Sequence, residues 1–187
     1  ILKTHIMKFI INSSELLKIL QQLSGVLSSG NTLPILDNFL FNIKENTIII
    51  TASDLETTIS SNITAETKDH GKITIPAKLL IDTLKTFSSQ PLTFVINEEN
   101  LNIEITSENG SYKLTGQSAN EFPKSPNLES PASTKMDSSK FINAINKTIF
   151  ACGNDELRPI MSGIFCELTQ EKITFVATDA HKLVKHV

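Results

Sequence analysis

The sequence predicts an α+β protein made of repeated domains, each with two helices packed on antiparallel sheets. Three observations predict it: a hairpin-like stretch that occurs twice, a strand, helix and three-strand programme that recurs within the first domain, and a Pro-rich break between domains. The first copy of the hairpin, residues 33–59, reads LPILDNFLFNIKENTIIITASDLETTI. Apolar residues alternate at Phe39, Phe41 and Ile43, a Lys-Glu-Asn turn follows, and Ile48, Ile49 and Ile50 lead into Thr-Ala-Ser-Asp. That is the pattern of two antiparallel strands on a short polar turn, closed by an Asp-marked bend. The second copy, residues 158–184, reads RPIMSGIFCELTQEKITFVATDAHKLV. Pro34 pairs with Pro159, Ala52 with Ala177 and Asp54 with Asp179, each 125 positions apart, and Ser13-Ser14 matches Ser138-Ser139 at the same offset. A period this long marks a duplicated domain rather than the roughly 20–50-residue unit of a solenoid.

Taken in order, residues 1–6 precede a Met7-Lys8-Phe9 that has the form of a natural start, so they read as an upstream addition. Residues 9–11 form a short strand, and Ser13 or Ser14 caps a helix over 13–27. Leu16, Leu20, Leu23 and Leu27 share one face of it with Leu17 beside them; Lys18, Gln21, Gln22 and Gly25 lie opposite. The hairpin follows a loop at 28–31, and 56–64 alternates as a third strand. After the Asp69-His70-Gly71 turn, 72–76 (KITIP) is a strand and 77–87 a helix, with Leu80, Ile81, Leu84 and Phe87 inward and Lys78, Asp82 and Lys85 outward. Strands at 92–97, 101–107 and 111–116 complete a first domain over residues 7–120.

Residues 121–135 (EFPKSPNLESPASTK) hold three of the seven prolines and no strand pattern, and read as a linker stiffened by proline. Residues 136–187 restart the programme with a helix over 138–152. Phe141, Ile145, Thr148, Ile149 and Cys152 form its inner stripe, and Lys140, Asn143 and Lys147 point outward. By the layout of the first domain, the second reaches only its third strand, so the chain reads as a fragment.

Composition narrows the function. The chain has 187 residues, 40% apolar and 20% charged, which is ordinary globular usage. No apolar run approaches the roughly 18–20 residues of a membrane span, and no signal-peptide pattern opens the chain, so the expected location is cytoplasmic. Cys152 and Cys166 sit in apolar patterns and read as buried, reduced thiols. The net charge is −3, but it is unevenly spread. The three helix windows hold five lysines (Lys18, Lys78, Lys85, Lys140, Lys147) against Glu15 and Asp82, leaving twelve basic and eighteen acidic residues elsewhere. Basic helices and acidic strands suggest one surface for a polyanion.

Catalytic signatures are missing. There is no Gly-rich phosphate loop, no nucleophile elbow, and no His-Glu-x-x-His or Cys-x-x-Cys pair. Asp179 and His181 could be taken for a carboxylate–imidazole pair, but the repeat mate Ser53-Asp54-Leu55-Glu56 keeps the Asp and lacks the imidazole. The shared Asp reads as a turn acceptor. Cys152, Cys166, His181 and His186 are not at zinc-finger spacing. No metal or cofactor is expected.

Met7-Lys8-Phe9, LLKILQQLSG, TLPIL, TASDLE, TIPAKLL, ANEFP, NDELRPIMSG and VATDAHKL together resemble the beta subunit of bacterial DNA polymerase III, the sliding-clamp family. The resemblance runs from Met7 to the end. It implies the DNA clamp fold with three similar domains, of which this chain holds the first and about half of the second, with the third absent. It also implies a head-to-tail homodimer ring around double-stranded DNA, read without regard to sequence, that tethers the polymerase and catalyses nothing. The implied partners are the catalytic subunit of DNA polymerase III, the clamp loader and other proteins with clamp-binding motifs.

Residue roles follow from the same resemblance. Lys18, Lys78, Lys85 and Lys147 become pore-facing DNA contacts, while Gly30 stands where the family often has a DNA-touching arginine. Tyr112 and Leu114 fall on the subunit-interface edge. Met161, Thr178, Ala180, His181, Lys182 and Leu183 match the second-domain wall of a pocket for partner peptides, with Ala180 where glycine is common and Lys182 where arginine is. Two other readings stand beside this one: a peptide-binding scaffold of the same architecture that does not encircle DNA, and a hydrolase using Asp179 and His181.

Overall fold

A computed structural model describes residues 6–27, 33–124, 134–154 and 157–187. The chain divides into two compact units, 1–127 and 128–187. In the first, β1 (Ile6–Asn12) leads directly into α1 (Ser13–Leu23), followed by β2 (Asn38–Lys44), β3 (Thr47–Ser53) and β4 (Thr58–Thr64). The programme then repeats as β5 (Gly71–Pro76), α2 (Ala77–Leu84), β6 (Pro91–Asn97), β7 (Asn102–Ser107) and β8 (Gly110–Thr115), with a two-residue β9 (Gln117–Ser118) at its end. The sheets are antiparallel, in the orders β1-β6-β7-β8 and β4-β3-β2-β5-β9. The opening strand of each half therefore crosses into the sheet of the other half: β1 lies against β6, and β5 against β2. Neither half can close its own sheet alone.

Alternation along the strands supplies the core. Phe39, Phe41, Ile43, Ile48, Ile50, Ile73 and Ile75 point inward from one sheet, and Met7, Phe9, Leu92, Phe94, Ile96, Ile103 and Ile105 from the other. The helices lay Leu16, Leu20, Leu23, Leu80 and Leu84 on the same cluster. Phe9 and Phe94, directly opposite in the β1/β6 register, stack with centroids 4.6 Å apart. Such offset aromatic pairs add to the burial of their area.

The second unit contains α3 (Ser138–Thr148) and a sheet of β10 (Phe165–Leu168), β11 (Ile173–Thr178) and β12 (Leu183–His186), in that order. The 125-residue register holds at atomic detail. Both ends of α3 fall 125 positions after those of α1, and the 3₁₀ turn Ile149–Ala151 follows α3 as Ser24–Val26 follows α1. The caps match too. Asn12 Oδ1 accepts from the Ser14 and Glu15 N–H groups, and Asp137 Oδ1 accepts from those of Ser139 and Lys140. After the hairpins, Asp54 Oδ1 accepts from the N–H groups of Glu56 (3.0 Å) and Thr57 (2.6 Å), and Asp179 Oδ1 from those of His181 (3.0 Å) and Lys182 (2.9 Å). Between them Leu55 (φ 81°) and Ala180 (φ 74°) share the left-handed conformation that the turn requires.

Several expectations are corrected. Strand β1 begins at Ile6 rather than at residue 9: Ile6 pairs with Asn97. The cap of α1 is Asn12 rather than Ser13 or Ser14, because the helix starts one residue earlier than its apolar stripe suggests. Strand β4 begins at Thr58 rather than 56, since the Asp54 turn uses residues 54–57. The first domain does not stop at 120, nor the linker begin at 121, because Phe122 is buried against Ile35 and Leu36. Cys166 is exposed and Cys152 half-buried. The register mate of Cys166 is Phe41, which two sheets and two helices enclose in the first unit, whereas β10 is an edge strand of a three-stranded sheet. Phe141 and Ile149 are likewise exposed rather than inner, Ile149 because it lies in the 3₁₀ turn where helical periodicity has ended.

Candidate functional site

Three surfaces hold the candidate residues. The first is the helix pair α1 and α2, which pack against each other above the core of the first unit. With about 3.6 residues per turn, Lys18 projects opposite the buried Leu16, Leu20 and Leu23. Lys78 and Lys85 lie one above the other on a shoulder of α2, and all three lysines are exposed. Lys85 Nζ is 3.2 Å from Asp82 Oδ1, so its charge is partly answered within its own helix. Lys147 is exposed in the last turn of α3, where a cation complements the helix dipole. Gly30 lies outside the described residues.

The second surface is the open edge of β8, the outermost strand of its sheet. An edge strand presents unpaired N–H and C=O groups to any further strand. Tyr112 is 41% exposed there, its ring edge-on to Phe87 at 5.1 Å. Leu114 is different: it is 7% exposed and belongs to the core cluster. Its side chain is therefore committed inward, and only its backbone is available at the edge.

The third surface surrounds the β11–β12 turn. Thr178 Oγ1 accepts from the Ala180 N–H (3.1 Å) and donates to the Lys182 carbonyl (2.7 Å), closing the turn on itself. Lys182 Nζ lies 2.7 Å from Asp179 Oδ2, an ion pair at i,i+3. The Lys182 ammonium, then the N–H groups of Lys182 and His181, hold the Asp179 carboxyl far below the ordinary carboxylate range. Met161 reaches this turn through Gly153, whose N–H donates to the Met161 carbonyl at 2.8 Å. A Cβ on Gly153 would lie 3.4 Å from the Asp179 Cβ and 3.9 Å from the Met161 Cβ. So Met161, Thr178, Ala180, His181, Lys182 and Leu183 do gather on one side of the second unit, with Leu183 exposed at the start of β12. Asp179 and Gly153, which position them, were not among the expected pocket residues. The repeat of Asp54 at Asp179 was the available signal for the first; nothing in the pattern pointed to Gly153.

Because the folded-state pKa of Asp179 is depressed, its contribution to stability is complete above the ordinary carboxylate range and is lost as pH falls. The Asp179→Asn protein keeps the Oδ1 acceptor and loses the charge. Its urea midpoint should therefore decline less than the parent's between about pH 5 and pH 2, the window in which carboxylates take up protons. Parallel declines over that window would show that the Lys182 pair contributes nothing.

Two family models match the chain in succession. Residues 7–127 match the DNA polymerase III beta subunit, N-terminal domain, and residues 135–186 match its central domain. The chain belongs to the DNA polymerase III beta subunit family. It is 32% identical over 178 residues to the beta sliding clamp of Vibrio cholerae, covering 95% of this chain and 48% of that protein. It is 30% identical to that of Synechocystis, with 95% and 47% covered. The sliding clamp of Bacillus subtilis superposes with a TM-score of 0.88 at 25% identity, over 97% of this chain and 50% of the other. The chain thus spans about half the length of the beta subunits it matches, and its architecture is the α+β DNA clamp fold. Among the described residues, no helix is long and apolar enough to cross a membrane.

Proposed function

We propose that this chain supplies the N-terminal domain and the leading part of the central domain of a ring-forming sliding clamp, a cytoplasmic processivity factor that encircles duplex DNA and tethers the replicative polymerase. The observation that carries this reading is the order of two beta-subunit domains along one chain, with exposed lysines on the outward faces of their helices. A ring must hold DNA without gripping it. Mobile ammonium groups attracted to phosphates give sequence-independent affinity, whereas base-edge contacts would fix the protein in one register. Lys18, Lys78, Lys85 and Lys147 take that role, Lys85 more weakly because of Asp82. The acidic remainder of the surface disfavours DNA outside the hole.

The β8 edge pairs with a strand of the third domain in a second full-length copy, its backbone bonding across the junction and Tyr112 covering it. In the central domain, Met161 and Leu183 act as apolar anchors, while Thr178, His181 and Lys182 serve the backbone of an extended peptide. The peptides come from the polymerase catalytic subunit, the clamp loader and other proteins with clamp-binding motifs. No catalytic step is assigned to the chain.

The test is made with the full-length protein, polymerase and loader on a primed circular template. The parent should lengthen products severalfold per binding event. Leu183→Ala removes one apolar anchor that a bound peptide would cover, worth about 2 kcal/mol, and so should weaken peptide binding at least tenfold and shorten the products while leaving DNA binding intact. Unchanged peptide affinity would move the pocket elsewhere.

A further inference from the structure

One turn of the first unit carries a chemistry that the proposed function does not use. The β7–β8 hairpin turns on Glu108 and Asn109, with Ser107 and Gly110 as its closing pair. Asn109 and Gly110 are both exposed, and a Cβ built on Gly110 would meet nothing within 4 Å. Of the asparagines in the sequence, Asn109 alone precedes a glycine. That order matters because asparagine is a chemically labile residue whose side-chain carbonyl can reach the next backbone nitrogen. A following side chain obstructs the approach and stiffens the backbone that must bend; glycine does neither.

The turn is held shut from both sides. Ser107 Oγ accepts from the Asn109 N–H at 3.3 Å and donates to the Gly110 carbonyl at 3.0 Å. From the interior, Gln90 Oε1 accepts from the Glu108 N–H at 3.2 Å. Gln90 is buried, 7% exposed, and is itself fixed to the start of α1: its N–H donates to Ser13 Oγ at 3.0 Å, and its carbonyl accepts from the Ser13 N–H at 2.9 Å. Bringing the Gly110 nitrogen over Asn109 Cγ requires the turn to open, so each of these bonds opposes the reaction.

We propose that Asn109-Gly110 is a site of spontaneous deamidation at the end of the β8 edge, and that Gln90 is the brake on it. The Gly110 nitrogen gives its proton to solvent base and attacks Asn109 Cγ. The N–Cγ bond forms, the Cγ–Nδ2 bond breaks, and Nδ2 leaves as ammonia after taking up a proton. Water then opens the five-membered succinimide that joins residues 109 and 110. Opening at Cγ leaves aspartate; opening at the main-chain carbonyl leaves isoaspartate, whose backbone runs through Cβ and Cγ. One water enters, one ammonia leaves, and nothing is oxidised or reduced. Either product sets a new carboxylate beside Glu108, and isoaspartate also lengthens the backbone at the closing pair of β8. If β8 forms the ring junction, as proposed above, conversion loosens that junction as the protein ages. That consequence rests on the junction reading; the modification does not.

The experiment ages the full-length protein in mildly alkaline buffer and follows the peptide containing residue 109 by mass and chromatography. In the parent, that peptide should gain the mass difference between water and ammonia and resolve into two isomers, about tenfold faster than any other asparagine converts. Asn109→Gln keeps the amide but enlarges the ring that must close, and should stay unchanged. Gln90→Ala should convert about fivefold faster, the gain in local opening expected from removing one hydrogen bond. If Gln90→Ala does not fold, Gln90→Met removes the same acceptor at similar volume and carries the test. Conversion at residue 109 no faster than elsewhere, or equal in Asn109→Gln, would overturn the site. A rate unchanged or lowered without the Gln90 acceptor would overturn the brake. Subunit exchange between labelled copies is measured on the same aged samples, and the converted parent should exchange severalfold faster than aged Asn109→Gln. Conversion without faster exchange would overturn the loosening alone, so failure of the junction reading is distinguishable from failure of the site.

Discussion

Truncating Phe94 to alanine lowers the stability of the first unit by about 3–5 kcal/mol, the range seen when a buried aromatic is cut back and its cavity only partly collapses. Phe94 is fully buried, stacks on Phe9, and sits where β6 receives β1 from the other half of the domain. The loss is therefore felt by both halves, because the β1/β6 seam is one of the two crossings that hold them together. Phe94→Leu keeps most of the volume but not the stacked ring, and costs about 1–1.5 kcal/mol. Urea unfolding followed by a probe in the first unit measures both. A Phe94→Ala loss below about 1 kcal/mol would mean that the crossing is not what secures the domain.

Removing charge from the helix pair has the next largest effect. In the full-length protein, Lys18→Ala with Lys78→Ala reduces the slope of log affinity against log salt by about 0.9 for each lysine that meets a phosphate. At about 0.1 M salt, two such contacts amount to a loss of roughly fiftyfold in affinity for duplex DNA. Lys85→Ala should do less, because Asp82 lies 3.2 Å from its ammonium and already answers part of its charge. An unchanged slope in the double variant would make these lysines ordinary solvated side chains.

Much of this was legible in the sequence because it rests on short-range chemistry. The Asp54 and Asp179 turns are written in the residue that accepts their N–H groups, and the hairpins in strict alternation. Met161 and the 178–183 turn were grouped through resemblance rather than by any local pattern, and Gly153 lies beside both. The misses have physical causes. Phe122 stands alone in a Pro- and Ser-rich stretch, where one aromatic has no periodicity to betray that it is buried. The inward direction of Leu114 depends on its pairing with Ile103 across β7, which no local pattern states. The exposure of Cys166 reflects how little covers its strand, not the apolar residues beside it. Gly153 matters through its closeness to Asp179, 26 positions further on, and a lone glycine carries no such address.

In the proposed function, the full-length protein holds DNA by surrounding it. The direct measurement loads the full-length protein onto a nicked circular plasmid, then cuts the circle once and separates bound from free protein at salt high enough to screen surface contacts. Protein retained on the intact circle and released by the single cut is the predicted result. Equal retention on circular and linear DNA, or none on either, would contradict it.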